Sequence, residues 1–254
     1  MRHQDYQCIL DAIEEKYTKL LANNLAGIYV HGSLALGCFN WDKSDIDYIV
    51  VVNTPLTHKE KQDILTETVS LNQRAPQKGL EMSVVLKKHC REFIHPTPYE
   101  IHFSAAHLKG WCDDPSGYCE KMKGVDADLA AHFTIINHRG IVLCGEEISS
   151  VFSKIDSNYY FDSIKQDVQT SKQDIFLEPV STILNLCRVL AYKKNGSILS
   201  KREGGEWGRF HLPCEYRPIV EQALENYLSG SRDKTALTDS VAMRFCEDML
   251  KMIF

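Results

Sequence analysis

Two aspartates separated by a single residue, Asp45 and Asp47, are the first residues of this sequence whose spacing indicates chemistry. They open an apolar run that continues to Val52, and this run predicts a β-strand. Side chains two apart on a strand point to the same face, so the two carboxylates converge while Ile46 points into the core. Adjacent carboxylates repel unless a cation lies between them, and oxygen ligands suit Mg²⁺. The pair therefore predicts a magnesium site, although Asp-x-Asp alone also fits a solvated strand edge.

A small-residue turn lies about a dozen residues before the aspartates. His31-Gly32-Ser33 follows a β-rich run and opens a short helical stretch, where free backbone N–H groups favour phosphate and Ser33 offers a hydroxyl. No Lys-Ser or Lys-Thr follows Gly37, which excludes a Walker-type phosphate loop, and the chain has no Gly-x-Gly-x-x-Gly. The turn predicts an anion site of a different kind.

A third carboxylate, Glu81, interrupts the otherwise apolar run from Leu80 to Leu86, which predicts another strand. If this strand lies beside the strand of Asp47, Glu81 reaches the same face and completes a site of three carboxylates. The alternative is an exposed charge at the edge of the sheet.

The elements that must position these residues form two groups. Periodicity predicts a helix over 5–22, strands over 27–31, 45–52 and 80–86, and a helix over 57–71. A connector rich in proline and glycine follows, with a possible strand at 99–103, and helical patterns dominate after 126 apart from an apolar run at 141–144. We therefore predict an α/β (α+β) N-terminal domain with a small mixed sheet, residues 1–110, and an all-α helical-bundle C-terminal domain, residues 111–254.

Composition narrows the function classes. A 254-residue chain with 44% hydrophobic residues has enough apolar side chains for a core, and its net charge of -5 disfavours nucleic acid as a partner. Neither a membrane span nor a signal peptide is predicted, so we expect a cytoplasmic protein. Nine cysteines without a Cys-x-x-Cys pair fit neither a disulfide framework nor a zinc site, and we assign His102, His107, His132 and His138 structural roles.

Gly32-Ser33, Ser44-Asp-Ile-Asp47 and Glu81 together resemble the nucleotidyltransferase superfamily related to DNA polymerase β. Residues 26 to about 215 resemble, more narrowly, the aminoglycoside adenylyltransferases of the streptomycin/spectinomycin group. The second half carries this resemblance in short motifs, namely Asp128-Leu-Ala-Ala131, Gly140-Ile-Val-Leu143, Leu184-Asn-Leu-Cys-Arg188, Ser200-Lys201 with Glu206-Trp207, and Leu212-Pro213 with Tyr216-Arg-Pro218.

The resemblance implies a role for each matching residue. Asp45, Asp47 and Glu81 would bind Mg²⁺, and Glu81 would also be the base that takes the proton from the acceptor hydroxyl. Gly32, Ser33, Arg188 and Lys201 would bind ATP, the co-substrate. Arg188 also fits an exposed helix position. Lys201 also fits the solvated first turn of a helix that Ser200 caps with Glu203 as its capping-box partner.

For the acceptor, the resemblance implies a small cationic aminoglycoside or aminocyclitol. Asp174 falls near an acidic residue that faces the drug in streptomycin-modifying members, and Glu178 is a further candidate contact. We therefore expect a monomeric enzyme that transfers AMP from ATP to a hydroxyl of such an antibiotic and releases pyrophosphate. Two alternatives stay open: the same chemistry on a protein side chain or metabolite, or a non-catalytic nucleotide-binding or antitoxin-like module.

Overall fold

The computed structural model describes residues 3–229 and 238–254, with side chains from residue 6 onward. The chain folds as two compact units, Met1–Asp156 and Ser157–Phe254. The predicted boundary between residues 110 and 111 therefore falls inside the first unit. The apolar run at 141–144 explains this difference, because it forms an edge strand of the first unit's sheet and so keeps the residues before it in that unit.

The first unit mixes helices and strands. In chain order its elements are α1 His3–Leu21, β1 Leu25–Val30, α2 Gly32–Ala35, β2 Ile46–Val52, α3 His58–Asn72, β3 Leu80–Leu86, α4 Lys87–Arg91, β4 Thr97–Tyr99, β5 Ile101–Phe103, α5 Leu108–Asp113, α6 Pro115–Lys121, β6 Gly124–Asp126, α7 Leu129–Arg139, β7 Ile141–Gly145 and α8 Ile148–Val151.

Five strands make one mixed sheet in the order β5-β3-β2-β1-β7. Only β2 and β3 run parallel, while β1 pairs antiparallel with β2 and β7, and β3 pairs antiparallel with β5. Strands β4 and β6 form a separate two-stranded sheet. The small mixed sheet predicted from the sequence is confirmed, with β2 at its centre.

The two faces of the sheet have different covers. Alternate residues of β2 such as Tyr48 and Val50 pack with α1 and α3 in one apolar cluster. The intervening residues Ile49 and Val51 pack with α7 in another. Because both faces are covered, β2 is apolar almost throughout, as a central strand must be. Asp47 follows the same alternation as Ile49, so its side chain lies on the α7 face.

The second unit is helical over its described residues. Its helices are α9 Ser157–Gln166, α10 Ser171–Leu177, α11 Pro179–Asn195, α12 Lys201–His211, α13 Arg217–Ser229 and α14 Asp239–Ile253. The other helices pack around α11, whose apolar residues are buried. The prediction of a helical C-terminal domain is confirmed for the described residues of this unit. The sequence pattern also favours a helix over 236–253, whose first two residues lie outside the described ones.

Glycines let α12 approach α11 closely. A Cβ added to Gly204 would lie 2.7 Å from Arg188 Cβ, and one added to Gly205 would lie 2.5 Å from Leu184 Cδ2. Glycine inside a helix costs roughly 1 kcal/mol relative to alanine. Here it allows a helix contact that no larger side chain would permit, and this contact places Lys201 and Arg188 on adjoining helices.

Candidate active site

Three carboxylates converge on the α7 face of the sheet. Asp47 on β2 and Glu81 on β3 are direct register partners in the parallel pair, and Asp45 immediately precedes β2. Oxygen atoms of Asp45, Asp47 and Glu81 all lie within 4.8 Å of one another, and all three residues are partly buried. Ile46 between the aspartates is fully buried. The structure thus brings together the three acidic residues for which the sequence predicts a common site.

The charges of this cluster oppose one another. Burial, followed by the charges of Asp45 and Glu81, raises the pKa of Asp47 to about 8. Burial is also the main cause that raises the pKa of Glu81. A cluster of carboxylates that resists ionisation by itself is stabilised by a cation, and an all-oxygen donor set of this size suits Mg²⁺. The residues therefore fit the metal that the sequence predicts.

The turn that follows β1 is built around Asp47. The His31 N–H donates to the backbone oxygen of Asp47 at 3.0 Å, and the Ser33 N–H donates to its carboxylate. Gly32 has a φ of +58°, and an added Cβ there would lie 1.8 Å from Asp47 Oδ2. The Ser33 Oγ is buried and has no hydrogen-bond partner among the described residues. A buried hydroxyl in this state is ready to bond a ligand oxygen.

His132, for which the sequence predicts a structural role, borders this site. Nε2 of His132 on α7 lies 3.2 Å from Asp128 Oδ2. Burial disfavours the charged imidazole, but the charge and hydrogen bond of Asp128 and then the charges of Glu81 and Asp47 outweigh it, raising the pKa of His132 to about 9. The signal for this pair was the i, i+4 spacing of Asp128 and His132 on a predicted helix.

The other three histidines have different surroundings. His102 Nδ1 bonds Ser83 Oγ at 2.9 Å, and His107 Nδ1 approaches the backbone oxygen of His102 at 3.3 Å. His138 is exposed on α7.

The two predicted triphosphate-binding cations lie in the second unit. Arg188 on α11 donates from Nη2 to Asp167 Oδ2 at 3.2 Å and from Nε to Asn185. Lys201 is the first residue of α12, and its Nζ donates to Ser181 Oγ at 2.7 Å. The capping box predicted for this helix is present, with Ser200 and Glu203 each bonding the other's backbone N–H. Both cations are partly buried.

The predicted acceptor residues line a cavity of about 390 Å³ in the second unit. Its wall includes Asp174 and Glu178, together with Asp167 and Ser181, the partners of Arg188 and Lys201. Asp174 accepts a bond from Thr170 Oγ1 at 2.6 Å, and Glu178 is exposed at the start of α11. Arg188 offsets the charge of Asp167, and the carboxylates of Asp174 and Glu178 favour a cationic ligand in this cavity.

Comparison with known proteins matches the N-terminal and C-terminal parts of the chain to two different domain families. Residues 9–103 match the family model described as "Nucleotidyltransferase domain", and residues 150–252 match "Aminoglycoside adenylyltransferase, C-terminal domain". The chain is therefore an enzyme of the nucleotidyltransferase class, and its C-terminal part is similar to that of the aminoglycoside adenylyltransferases.

Two relatives are similar to most of this chain. An aminoglycoside (3'') (9) adenylyltransferase of Escherichia coli is 24% identical over 223 residues, 85% of this chain and 81% of the relative. A spectinomycin 9-adenylyltransferase of Enterococcus faecalis is 20% identical over 255 residues, 96% of each chain.

A solved structure shows the same fold. The spectinomycin adenyltransferase of Enterococcus faecalis, crystallised with ATP and spectinomycin, superposes with a TM-score of 0.79 and 18% sequence identity. The match covers 96% of this chain and 98% of that one.

Among the described residues, every helix of the present chain is too short or too polar to traverse a bilayer.

Proposed function

We propose that this protein transfers AMP from ATP to a hydroxyl group of an aminoglycoside or aminocyclitol antibiotic of the streptomycin or spectinomycin type, releasing pyrophosphate. The observation that carries the proposal is the convergence of Asp45, Asp47 and Glu81 within 4.8 Å beside the Gly32-Ser33 turn. Antibiotic resistance in the cytoplasm, where ATP is available, would be the biological role.

Each residue has a part in this reaction. Asp45, Asp47 and Glu81 would hold Mg²⁺, which when bound supplies charge neutralisation at the phosphates. The acceptor oxygen attacks the α-phosphorus, its proton passes to Glu81, and the bond between the α-phosphorus and the bridging oxygen breaks as pyrophosphate leaves. The raised pKa of Glu81 lies closer to neutral pH than that of an ordinary glutamate. A general base works best when its pKa is near the working pH.

The nucleotide and acceptor sites follow from the remaining residues. We assign Gly32 and Ser33 to the phosphates because their turn is glycine-dependent and the Ser33 Oγ is unpartnered among the described residues. Arg188 and Lys201 supply the fixed positive charge that a triphosphate needs in a protein of net charge -5. We assign Asp174 and Glu178 to the amino groups of the acceptor. Action as a monomer and the absence of nucleic-acid binding remain predictions of the sequence.

A pyrophosphate-release assay tests the proposal directly. ATP and Mg²⁺ are supplied with streptomycin, spectinomycin or other aminoglycosides, and wild type is compared with Glu81→Gln and with Glu120→Gln, an exposed carboxylate on α6. Loss of a general base typically costs about 10²- to 10⁴-fold in rate. We expect that loss for Glu81→Gln only, and release that depends on the antibiotic and on Mg²⁺.

Other outcomes would overturn separate parts of the proposal. Full activity of Glu81→Gln would remove the base assignment, and equal rates without Mg²⁺ would remove the metal. Nucleotide binding with no pyrophosphate release from any antibiotic would favour a different acceptor or a non-catalytic role.

A further inference from the structure

We propose that His132 is a further nucleotide-binding residue, whose Nδ1 donates a hydrogen bond to a phosphate oxygen of ATP at the Gly32-Ser33 turn. This inference rests on the proposed nucleotidyl transfer and extends it to a residue outside the predicted site. It concerns only the first unit.

The imidazole of His132 is fixed on two sides. Its Nε2 is 3.2 Å from Asp128 Oδ2, and its ring packs on the ring of His31 with 4.5 Å between centroids and 34° between planes. His31 directly precedes Gly32-Ser33, so the His132 ring adjoins the predicted phosphate site. A ring held by an ion pair and a ring contact is pre-organised for a ligand on its remaining nitrogen.

That remaining nitrogen is buried and unsatisfied. Within residues 3–229 and 238–254, Nδ1 of His132 has no hydrogen-bond partner, and neither does Ser33 Oγ, two residues beyond His31. Burying a polar atom without a partner is unfavourable, so two such atoms beside one turn need an explanation. A phosphate group, which carries several acceptor oxygens, would satisfy both atoms at once.

The charge of the imidazole indicates which substrate Nδ1 of His132 contacts. His132 faces Asp128 on its own helix, Glu81 and Asp47 on the sheet, and the neutral ring of His31, whose pKa is held low mainly by burial and then by His132 itself. The ion pair of Nε2 with Asp128 Oδ2 favours the imidazolium form, in which both ring nitrogens carry a hydrogen to donate. A protonated imidazole attracts a triphosphate and repels a cationic antibiotic. The nucleotide is therefore its partner.

Calorimetric binding tests the inference without turnover. The ligands are α,β-methylene-ATP with Mg²⁺, inorganic pyrophosphate with Mg²⁺, and adenosine. The proteins are wild type, His132→Leu and His132→Gln, with His138→Gln as the matched control because His138 is exposed on the same helix. Hydrogen bonds to charged groups are worth about 1.5–3 kcal/mol, so we expect roughly ten- to hundredfold weaker binding of both phosphate ligands by His132→Leu.

The other readouts separate a phosphate contact from a purely structural role. His132→Gln keeps an N–H donor and should lie between wild type and His132→Leu, while adenosine should bind all four proteins alike. Unchanged or tighter binding of α,β-methylene-ATP by His132→Leu would overturn the inference. Equal weakening in His132→Gln and His132→Leu would overturn it as well, because a residue that acts on the phosphates only through its charge predicts that result. Failure of the wild type to bind the analogue would instead refute the proposed function.

A measurement on the wild type guards against a variant that fails to fold. In protein labelled with ¹⁵N-histidine, the Nδ1 resonance of His132 should shift on addition of the analogue while those of His138 stay in place. A His132 resonance that does not respond, although the analogue binds, would also overturn the inference.

Discussion

At the scale of single residues, the site depends on close contacts that leave no room for a larger side chain. Gly32 stands where a side chain would occupy the position of the Asp47 carboxylate, in a backbone conformation that favours glycine. Asp47 is the centre of the cluster, since Ser33, Asp45 and Glu81 all act on its carboxylate. The chemistry of Asp47 is therefore set by its neighbours on three segments.

Gly32→Ala should abolish most of the activity. The new Cβ would displace Asp47 Oδ2, and misplacing a reacting group by about 1 Å can cost roughly 10²-fold in rate. Gly37→Ala is the control, because Gly37 also has a positive φ, +68°, but an added Cβ there meets nothing within 4 Å. Pyrophosphate release and Tm are measured for both. Similar activity losses in the two variants would show that backbone strain, and not the contact with Asp47, is the cause.

Asp174→Asn and Glu178→Gln should each raise the KM for the antibiotic about 1.5- to fivefold, the range of a partly solvated ion pair. The KM for ATP should stay the same, since we assign these carboxylates to the acceptor. Glu225→Gln, an exposed carboxylate on α13 outside the cavity, is the control. A rise in the KM for ATP instead would move both residues to the nucleotide site.

At the scale of elements, helix ends place the predicted cations. Lys201 is the first residue of α12, and the capping box of Ser200 and Glu203 fixes where that helix starts. The same device begins α3, where Thr57 and Glu60 form a second capping box in the other unit. Of these two capping boxes, only that of Ser200 and Glu203 adjoins a predicted nucleotide-binding residue, Lys201.

Ser200→Ala and Thr57→Ala should therefore separate stability from binding. Removing a helix cap costs about 1 kcal/mol, so both variants should have a lower Tm, with the larger effect at the buried Ser200. Only Ser200→Ala should weaken binding of α,β-methylene-ATP, measured by calorimetry, because it loosens the turn that holds Lys201. Equal affinity in Ser200→Ala and wild type would argue against Lys201 as a phosphate contact.

At the scale of the whole molecule, the acidic cluster ties folding to pH and to the metal. The pKa of Asp47 is about 8 in the folded protein against 3.8 ordinarily, and that of His132 is about 9 against 6.5. Each raised pKa gives a contribution to stability that is complete below the ordinary pKa and is lost as the pH rises through the folded value. Between pH 6.5 and 9, the folded state thus binds more protons at this site than the unfolded state does.

The metal-free protein should accordingly lose stability as the pH rises from 6.5 to 9, by up to about 1.4 kcal/mol per pH unit for each proton involved. Tm in EDTA should fall more steeply for wild type than for Asp47→Asn, and Asp113→Asn, an exposed control, should follow wild type. Mg²⁺ should offset the fall at high pH because it binds the ionised carboxylates. Parallel Tm profiles for wild type and Asp47→Asn would contradict the raised pKa of Asp47.

The sequence by itself determined what is local. Alternation along 45–52 put Asp45 and Asp47 on one face, the apolar run at 80–86 defined the strand of Glu81, and Ser200 with Glu203 marked the start of α12. These features depend on the 2.0- and 3.6-residue periods and on caps, which neighbours in sequence control.

Tertiary structure alone decided what depends on distant partners. The register of β2 with β3 sets Asp47 opposite Glu81, and the pairing of β7 with β1 extends the first unit to Asp156. The packing of α7 brings His132 to His31 from a hundred residues away. A short apolar run such as 141–144 does not specify the strand with which it pairs. In the same way, the sequence around a histidine does not specify which distant carboxylates lie beside it. Both contacts form only when remote parts of the chain pack together.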